Sequence, residues 1–262
     1  MIFERDFYRR FGVATNKVLL VTGGGRGIGA ATARLAAQGG WAVAVNYAAN
    51  SLAADEVVRA IRAGGGTAIS VQADVADEAQ VLKMFAHVDS KLGRLTGLVN
   101  NAGVVDRAQP VAEQSVARWR RMFDINVIGS MICAREAVRR MGTAHGGAGG
   151  SIVNLSSAAA RLGSPNEYVD YAAAKAAIDA FTIGLAKEVA PQGIRVNAVR
   201  PGLIETEIHA SGGRPNRVEE LKAGVPMGRG GTADEVAQLI VWLLSDAASY
   251  TTMSLIDVSG AR

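Results

Sequence analysis

The chain is poor in the groups that most often announce a function. Its 262 residues include one cysteine, Cys133, six prolines, three histidines and 5% aromatic residues. A single cysteine excludes a disulfide within the chain and fits a reducing compartment, so a cytoplasmic location is expected. Its setting, Ser130-Met131-Ile132-Cys133-Ala134, predicts a buried packing role and not a nucleophile. His87, His145 and His209 lie far apart and fit no metal-ligand spacing, so no metal site is expected. No apolar run approaches the ~18 residues of a membrane span. The net charge is only +4, and the basic residues are scattered without a block, so nucleic acid is not expected as a partner. The opening segment, Met1 to Arg10, lacks a long apolar core followed by a small-residue cleavage site. It predicts no secretory signal, and residues 1–16 read as an extension outside the core.

What is present is regular. With 49% apolar residues the chain can fill one large core. Short apolar strands are expected at 18–21, 42–46, 67–72, 98–100, 151–155, 195–199 and 254–258. Helices are expected at 28–38, 52–63, 78–92, 116–140 and about 168–189. This alternation predicts right-handed βαβ units, hence an α/β fold with one doubly wound parallel sheet of about seven strands. Residues 17–262 read as one domain. Residues 203–231 carry Gly and Pro and no clear strand, and are expected to form a lobe over the site; His209 falls there, within reach of a ligand. In such sheets ligands bind beyond the carboxyl ends of the strands.

The first strand runs into Thr22-Gly23-Gly24-Gly25-Arg26-Gly27-Ile28-Gly29. Glycines here let the backbone turn tightly and approach a pyrophosphate, while the amides of the following helix face its charge. The strict G-x-G-x-x-G spacing is absent, but the position in the first βα unit predicts a dinucleotide site. An acid ending the second strand would bind the adenosine ribose of NAD. The chain has Asn46-Tyr47-Ala48-Ala49-Asn50 there, with Arg26 in the glycine turn. An uncharged pocket beside a guanidinium suits a 2′-phosphate, so NADP(H) is expected over NAD(H).

Tyr171 and Lys175 stand four residues apart on an expected helix and therefore share a face. A free phenol has a pKa near ~10. A neighbouring ammonium would lower it, making the pair a plausible acid/base unit. Ser156 and Ser157 follow the fifth strand directly, where a hydroxyl can steady a carbonyl oxygen, although either could equally serve as a turn contact.

Taken together, these segments resemble the short-chain dehydrogenase/reductase family over about residues 17–262. The residues that carry the resemblance are Thr22-Gly23-x-x-x-Gly27-x-Gly29, Asp74, Asn100-Asn101-Ala102-Gly103, Asn126, Ser157, Tyr171-x-x-x-Lys175 and Pro201-Gly202. The resemblance implies a single Rossmann-type domain and hydride transfer between NADP(H) and a carbonyl/secondary-alcohol pair. It implies that Tyr171 is the general acid/base, that Lys175 lowers its pKa and holds the nicotinamide ribose, and that Ser157 orients the carbonyl. Asn126 would hold a water linking Lys175 to solvent. Asp74 and Val75 would flank the adenine, Asn101, Ala102 and Gly103 would line the cofactor, and Ile204 and Thr206 would meet its nicotinamide end. Homotetramers built through the long helices and the last strand are implied by analogy. Within the family the pattern is similar to 3-oxoacyl-(acyl carrier protein) reductases and glucose-dehydrogenase-like enzymes, which leaves the substrate open.

Two features depart from the family pattern. The step from Ser157 to Tyr171 is one residue longer than usual, and counting back the usual step reaches Ala158, which has no hydroxyl; Ser157 is favoured, with Ser156 the alternative. Tyr168 precedes Tyr171 by three residues but has Ala172 where a lysine partner would stand, so it reads as packing or substrate contact. The competing functional reading is a catalytically silent NADP(H) sensor, for which an acid/base pair has no use.

Overall fold

The computed structural model describes residues 17–262. The expected extension at residues 1–16 lies outside the described residues. Seven parallel strands form one sheet in the order β3-β2-β1-β4-β5-β6-β7. They are β1 (Val18–Val21), β2 (Ala42–Tyr47), β3 (Ala68–Gln72), β4 (Gly97–Asn100), β5 (Gly150–Leu155), β6 (Ile194–Pro201) and β7 (Leu255–Val258). The order reverses between β1 and β4, and the crevice at that switch point is where open α/β sheets take ligands.

Side-chain alternation divides each strand between two cores. Leu19, Val21, Val43, Val45, Val99, Val153 and Val199 face one side. They meet α1 (Gly27–Gln38), α2 (Ser51–Ala63) and a helix over Ala233–Leu244. Val18, Leu20, Ala44, Leu98, Ile152 and Val196 face the other side. They meet α3 (Glu78–Leu92), the helix ending at Met141, and the long helix Val169–Val189. Leu19 and Leu20 are both fully buried, which is why β1 reads as an unbroken apolar run and not an alternating one. Each such leucine stabilises the fold by about 1.5–3 kcal/mol. Cys133 lies in the second core, where burial raises its thiol pKa to about 12; the expected packing role is met.

The helix expected at 116–140 is one helical path with a fault in it. It consists of α4 (Val116–Phe123), a π turn at Asp124–Ile128, and α5 (Gly129–Met141). Asn126 causes the fault: its side chain is fully buried, and its Nδ2 donates to Met122 O at 2.9 Å and Val104 O at 3.1 Å. Its Oδ1 accepts from Val104 N at 3.1 Å. The helix therefore gives up one turn of regular bonding to grip the strand-like segment after β4.

Beyond β5 come the short α6 (Ala159–Leu162) and then α7 (Val169–Val189). A buried relay ties α7 to the sheet. Asn100 Nδ2 donates to Asn154 Oδ1 at 3.0 Å, Asn154 Nδ2 to Thr182 Oγ1 at 2.9 Å, and Thr182 Oγ1 to Ile178 O at 2.8 Å. At the head of α7, Asp170 receives both Arg118 Nε (2.7 Å) and Nη2 (3.1 Å), a buried two-pronged pair. Removing either partner would strand a buried charge, so this pair fixes where α7 begins.

The segment after β6 holds two short helices, α8 (Ile208–Ser211) and α9 (Arg217–Leu221), and a lone bridge between Ile204 and Gly231. The side chain of His209 lies outside the described residues. No element was expected between 232 and 253, yet α10 (Ala233–Leu244) forms there and covers α1. Thr232 and Glu235 form a complete capping box at its start, a signal that the sequence does carry.

Candidate active site

The glycine turn is held open by its neighbours. Thr22 Oγ1 accepts from Asn101 N and Ala102 N, both at 3.0 Å, and Asn101 Nδ2 returns bonds to Thr22 O (2.9 Å) and Gly23 O (3.0 Å). Gly23 has φ +60 and a Cβ there would stand 3.0 Å from Ala102 Cα. A Cβ on Gly29 would come within 2.5 Å of Asn101 Nδ2, so β1, α1 and β4 meet with no room for a side chain. The first turn of α1 has neither a capping side chain nor an acid. Its amides are therefore free for an anion, and the residues present fit a dinucleotide's pyrophosphate.

A groove runs from this turn past Arg26, Gly27, Ile28, Tyr47, Asp74, Val75, Asn101, Ala102, Gly103 and Thr206. Asn46 borders it but its side chain points inward. Its Oδ1 accepts from Gly23 N at 3.1 Å while Nδ2 donates to Ala73 O at 3.0 Å and Val71 O at 3.3 Å. That set needs both a donor and an acceptor, which aspartate cannot supply. Asn46, expected among the cofactor-binding residues, lines the groove while its side chain clips the glycine turn to β2 and β3. Arg26 is exposed, and its one side-chain bond among the described residues is to Ser211 Oγ at 3.3 Å. Pro201, Gly202 and Ile204 lie on the far side of the same switch-point crevice, in a second pocket that shares Ile28, Asn101, Gly103, Thr206 and Ile208 with the groove.

Ser157, Tyr171 and Lys175 come together in that pocket. The Ser157 hydroxyl lies beside the Tyr171 phenol, where it favours the ionised form. It also accepts Ala159 N at 3.1 Å, so it performs the expected turn contact as well. Ser156, the alternative, is buried and donates to Lys175 O at 3.1 Å, away from the phenol. The extra residue between Ser157 and Tyr171 falls in a segment with three consecutive or near-consecutive left-handed residues, Gly163 (φ 74), Ser164 (φ 44) and Asn166 (φ 61). Tyr168 is buried immediately before α7, lines the pocket and lacks an ammonium at the next turn.

Lys175 Nζ donates to Leu155 O at 2.7 Å and stands 5.6 Å from the centroid of the Tyr171 ring. Burial lowers its pKa from 10.5 to about 8, with Asp179 one turn along α7 opposing the shift. Burial also raises the Tyr171 phenol to about 12, with the Ser157 hydroxyl opposing. In the free protein burial thus outweighs the lowering expected from Lys175. The ammonium lies over the ring and is spent on a backbone carbonyl, so desolvation of the phenolate prevails. A Cβ on Gly103 would stand 2.7 Å from Asn126 Oδ1 and 3.5 Å from Lys175 Nζ; its absence keeps open the space between those two groups. Among the described residues no cluster of His, Cys, Asp and Glu could hold a metal, and no helix is long and apolar enough to cross a membrane.

The comparisons agree with this architecture. A family model described as "Enoyl-(Acyl carrier protein) reductase" matches residues 23–260. Together with the relatives below, it shows that the chain belongs to the short-chain dehydrogenase/reductase family, whose members bind a nicotinamide cofactor and act on CH–OH groups. It is 57% identical over 245 residues to "Uncharacterized oxidoreductase YgfF" of Escherichia coli (strain K12), covering 94% of this chain and 99% of that protein. It is 41% identical to the cis-4-hydroxycyclohexanecarboxylate dehydrogenase of Sinomonas cyclohexanicum, over 93% of this chain and 95% of that one. Among solved structures it is similar to a Burkholderia cenocepacia short chain dehydrogenase in complex with NADP. That match has a TM-score of 0.86 and 32% identity, covering 94% and 97% of the two chains. The chain is thus an oxidoreductase of the carbonyl/alcohol pair.

The depressed pKa of Lys175 has a stability consequence. Between about pH 8 and 10.5 the unfolded chain holds a proton on this residue that the folded chain does not. Stability therefore rises with pH across that window. Urea unfolding of wild type and Lys175→Met should show the wild type gaining on the variant there, by on the order of 2 kcal/mol. A constant difference across the window would contradict the buried ammonium.

Proposed function

We propose that the chain is an NADPH-dependent carbonyl reductase, running also as an alcohol dehydrogenase, with Tyr171 as general acid and base. The observation that carries this reading is the Ser157–Tyr171–Lys175 set in a pocket that opens onto a glycine-lined groove. When bound, the nicotinamide supplies the hydride that the protein itself lacks. Ser157 donates to the carbonyl oxygen of the substrate. Tyr171 then gives its proton to the same oxygen as charge develops there, and the product leaves as the alcohol. A phenol held up to about 12 is protonated at neutral pH and so is ready to act as the acid. Lys175, near pKa 8, can return a proton to the tyrosinate, and a water between it and Asn126 would pass that proton from solvent.

The preference for NADPH rests on the groove end beyond β2. Tyr47, Ala48, Ala49 and Asn50 line it with no carboxylate, and Arg26 is free enough to exchange its long bond for a phosphate. The Burkholderia neighbour carries NADP in its own structure, which supports the same choice. In this reading Asp74 and Val75 flank the adenine, Asn101, Ala102 and Gly103 follow the cofactor, and Ile204 and Thr206 meet its nicotinamide end. The proposal takes residues 17–262 as one domain with a substrate lobe at 203–231, acting in the cytoplasm as a homotetramer. Val116, Trp119, Phe123, Ile128 and Met131 form an exposed stripe along α4 and α5 that such an assembly would cover. Light scattering at micromolar concentration should give four chains; a monomer mass would rule the assembly out.

The catalytic reading is checked by following NADPH and NADH oxidation over a panel of ketones, diketones, quinones and acetoacetyl thioesters. Tyr171→Phe should lower turnover by at least about 100-fold while NADPH still binds. Arg26→Ala should weaken NADPH much more than NADH. Unimpaired turnover in Tyr171→Phe, or abolition by Tyr168→Phe alone, would overturn the assignment of the acid. NADPH binding with no turnover on any carbonyl would favour the sensor.

A further inference from the structure

The substrate pocket has a one-sided charge. Its wall includes Lys175, Arg217 and Arg262 and no aspartate or glutamate, while Val105, Leu162, Leu203 and Ile208 make up much of the rest. Lys175 is accounted for by Leu155 O and the phenol. Arg217 is not accounted for by the reaction, and its surroundings are unusual.

Arg217 opens α9 in the lobe after β6 and is largely buried, with 13% of its side chain exposed. Two groups fix its guanidinium. Nη2 donates to Glu167 Oε2 at 2.6 Å, and the guanidinium carbon stands 5.0 Å from the centroid of the Tyr168 ring. Glu167 is itself shared, since Arg214 takes its other oxygen. A second nitrogen, Nη1, is buried and has no hydrogen-bond partner among the described residues. A buried cationic donor without an acceptor is costly, and a chain that needed only packing at this place would be better served by an apolar residue. Arg262 lines the same pocket and forms no ion pair among the described residues. Its main-chain oxygen accepts from Arg161 Nη2 at 3.1 Å.

We propose that the carbonyl substrate carries a carboxylate, which the Arg217 guanidinium receives at its unpartnered nitrogen while the carbonyl lies against Ser157 and Tyr171. Tyr168 precedes Tyr171 by three residues at the head of α7, and the cation stacked on its ring lines the same pocket as Ser157 and the reacting phenol. The apolar wall takes the substrate's carbon body, and Glu167 and Tyr168 act as positioning residues for the guanidinium. A neutral ketone would leave Nη1 unpaired in the complex as well, which is the physical basis for discrimination. The inference rests on the reductase reading, and its test separates the two.

The test compares keto acids such as acetoacetate, levulinate and oxocyclohexanecarboxylate, each beside its methyl ester. NADPH oxidation is followed with wild type, Arg217→Gln and Arg217→Lys. The ester keeps the carbonyl and removes only the charge, and it monitors an intact active site within each protein. In wild type kcat/KM for the acids should exceed that for the esters by at least about 10-fold. Arg217→Gln should erase most of that ratio, chiefly through KM, and Arg217→Lys should keep part of it. Esters reduced as well as acids, or an acid preference untouched by Arg217→Gln, would overturn the carboxylate assignment and leave the reductase standing. Turnover of no carbonyl compound, charged or neutral, would overturn both. If a variant loses acid and ester alike through misfolding, the wild-type ratio decides.

Discussion

Two crossed hydrogen bonds between the end of β5 and α7 hold the site together. Lys175 Nζ reaches down to Leu155 O, and Ser156 Oγ reaches up to Lys175 O. With these in place Ser157, the next residue, faces the Tyr171 phenol, one turn above the lysine. The Asn100–Asn154–Thr182 relay seats the middle of the same helix on the sheet, and the Arg118–Asp170 pair sets its first turn. Each contact is buried. Together they let a helix and a strand end hold three side chains in register.

That rigidity explains the electrostatics. A phenol and an ammonium placed side by side in water would each favour the other's opposite charge. Here burial prevails over their attraction, and both groups are pushed toward their neutral forms. The pair is best suited to giving a proton near neutral pH, which is the direction a reductase needs. The pocket above it adds cations without acids, so charge on the substrate side belongs to whatever binds there.

Much of this was legible in the sequence, for a physical reason. Parallel strands buried on both faces read as unbroken apolar runs, and all seven begin within one residue of the expected starts. The glycine turn, Tyr171 and Lys175 were legible because their spacing puts them at a strand end or on one helix face, whereas position after β5 left Ser156 and Ser157 both open. What was not legible depends on tertiary partners. The π turn at Asn126 exists because of the Val104 peptide, which is distant along the helix pattern. The inward turn of Asn46 depends on carbonyls from β3 and beyond it. Periodicity shows that Tyr171 and Lys175 share a face, but not that the face is dry; hence the reversed direction of the tyrosine's shift. Arg217 gave no signal, because its meaning comes from Tyr168 and Glu167, some fifty residues away. The helix at 233–244 is different in kind, since its Thr232–Glu235 capping box stands in the sequence.

The measurement that bears most directly on this account is a pH titration of the Tyr171 phenol, read as the tyrosinate absorbance of wild type minus Tyr171→Phe. Burial predicts a phenol that stays protonated through pH 10 and ionises at about 12 in the free protein. A difference band rising near pH 8 would show that the ammonium of Lys175 governs the phenol after all, and would contradict the claim that desolvation sets the chemistry of the site.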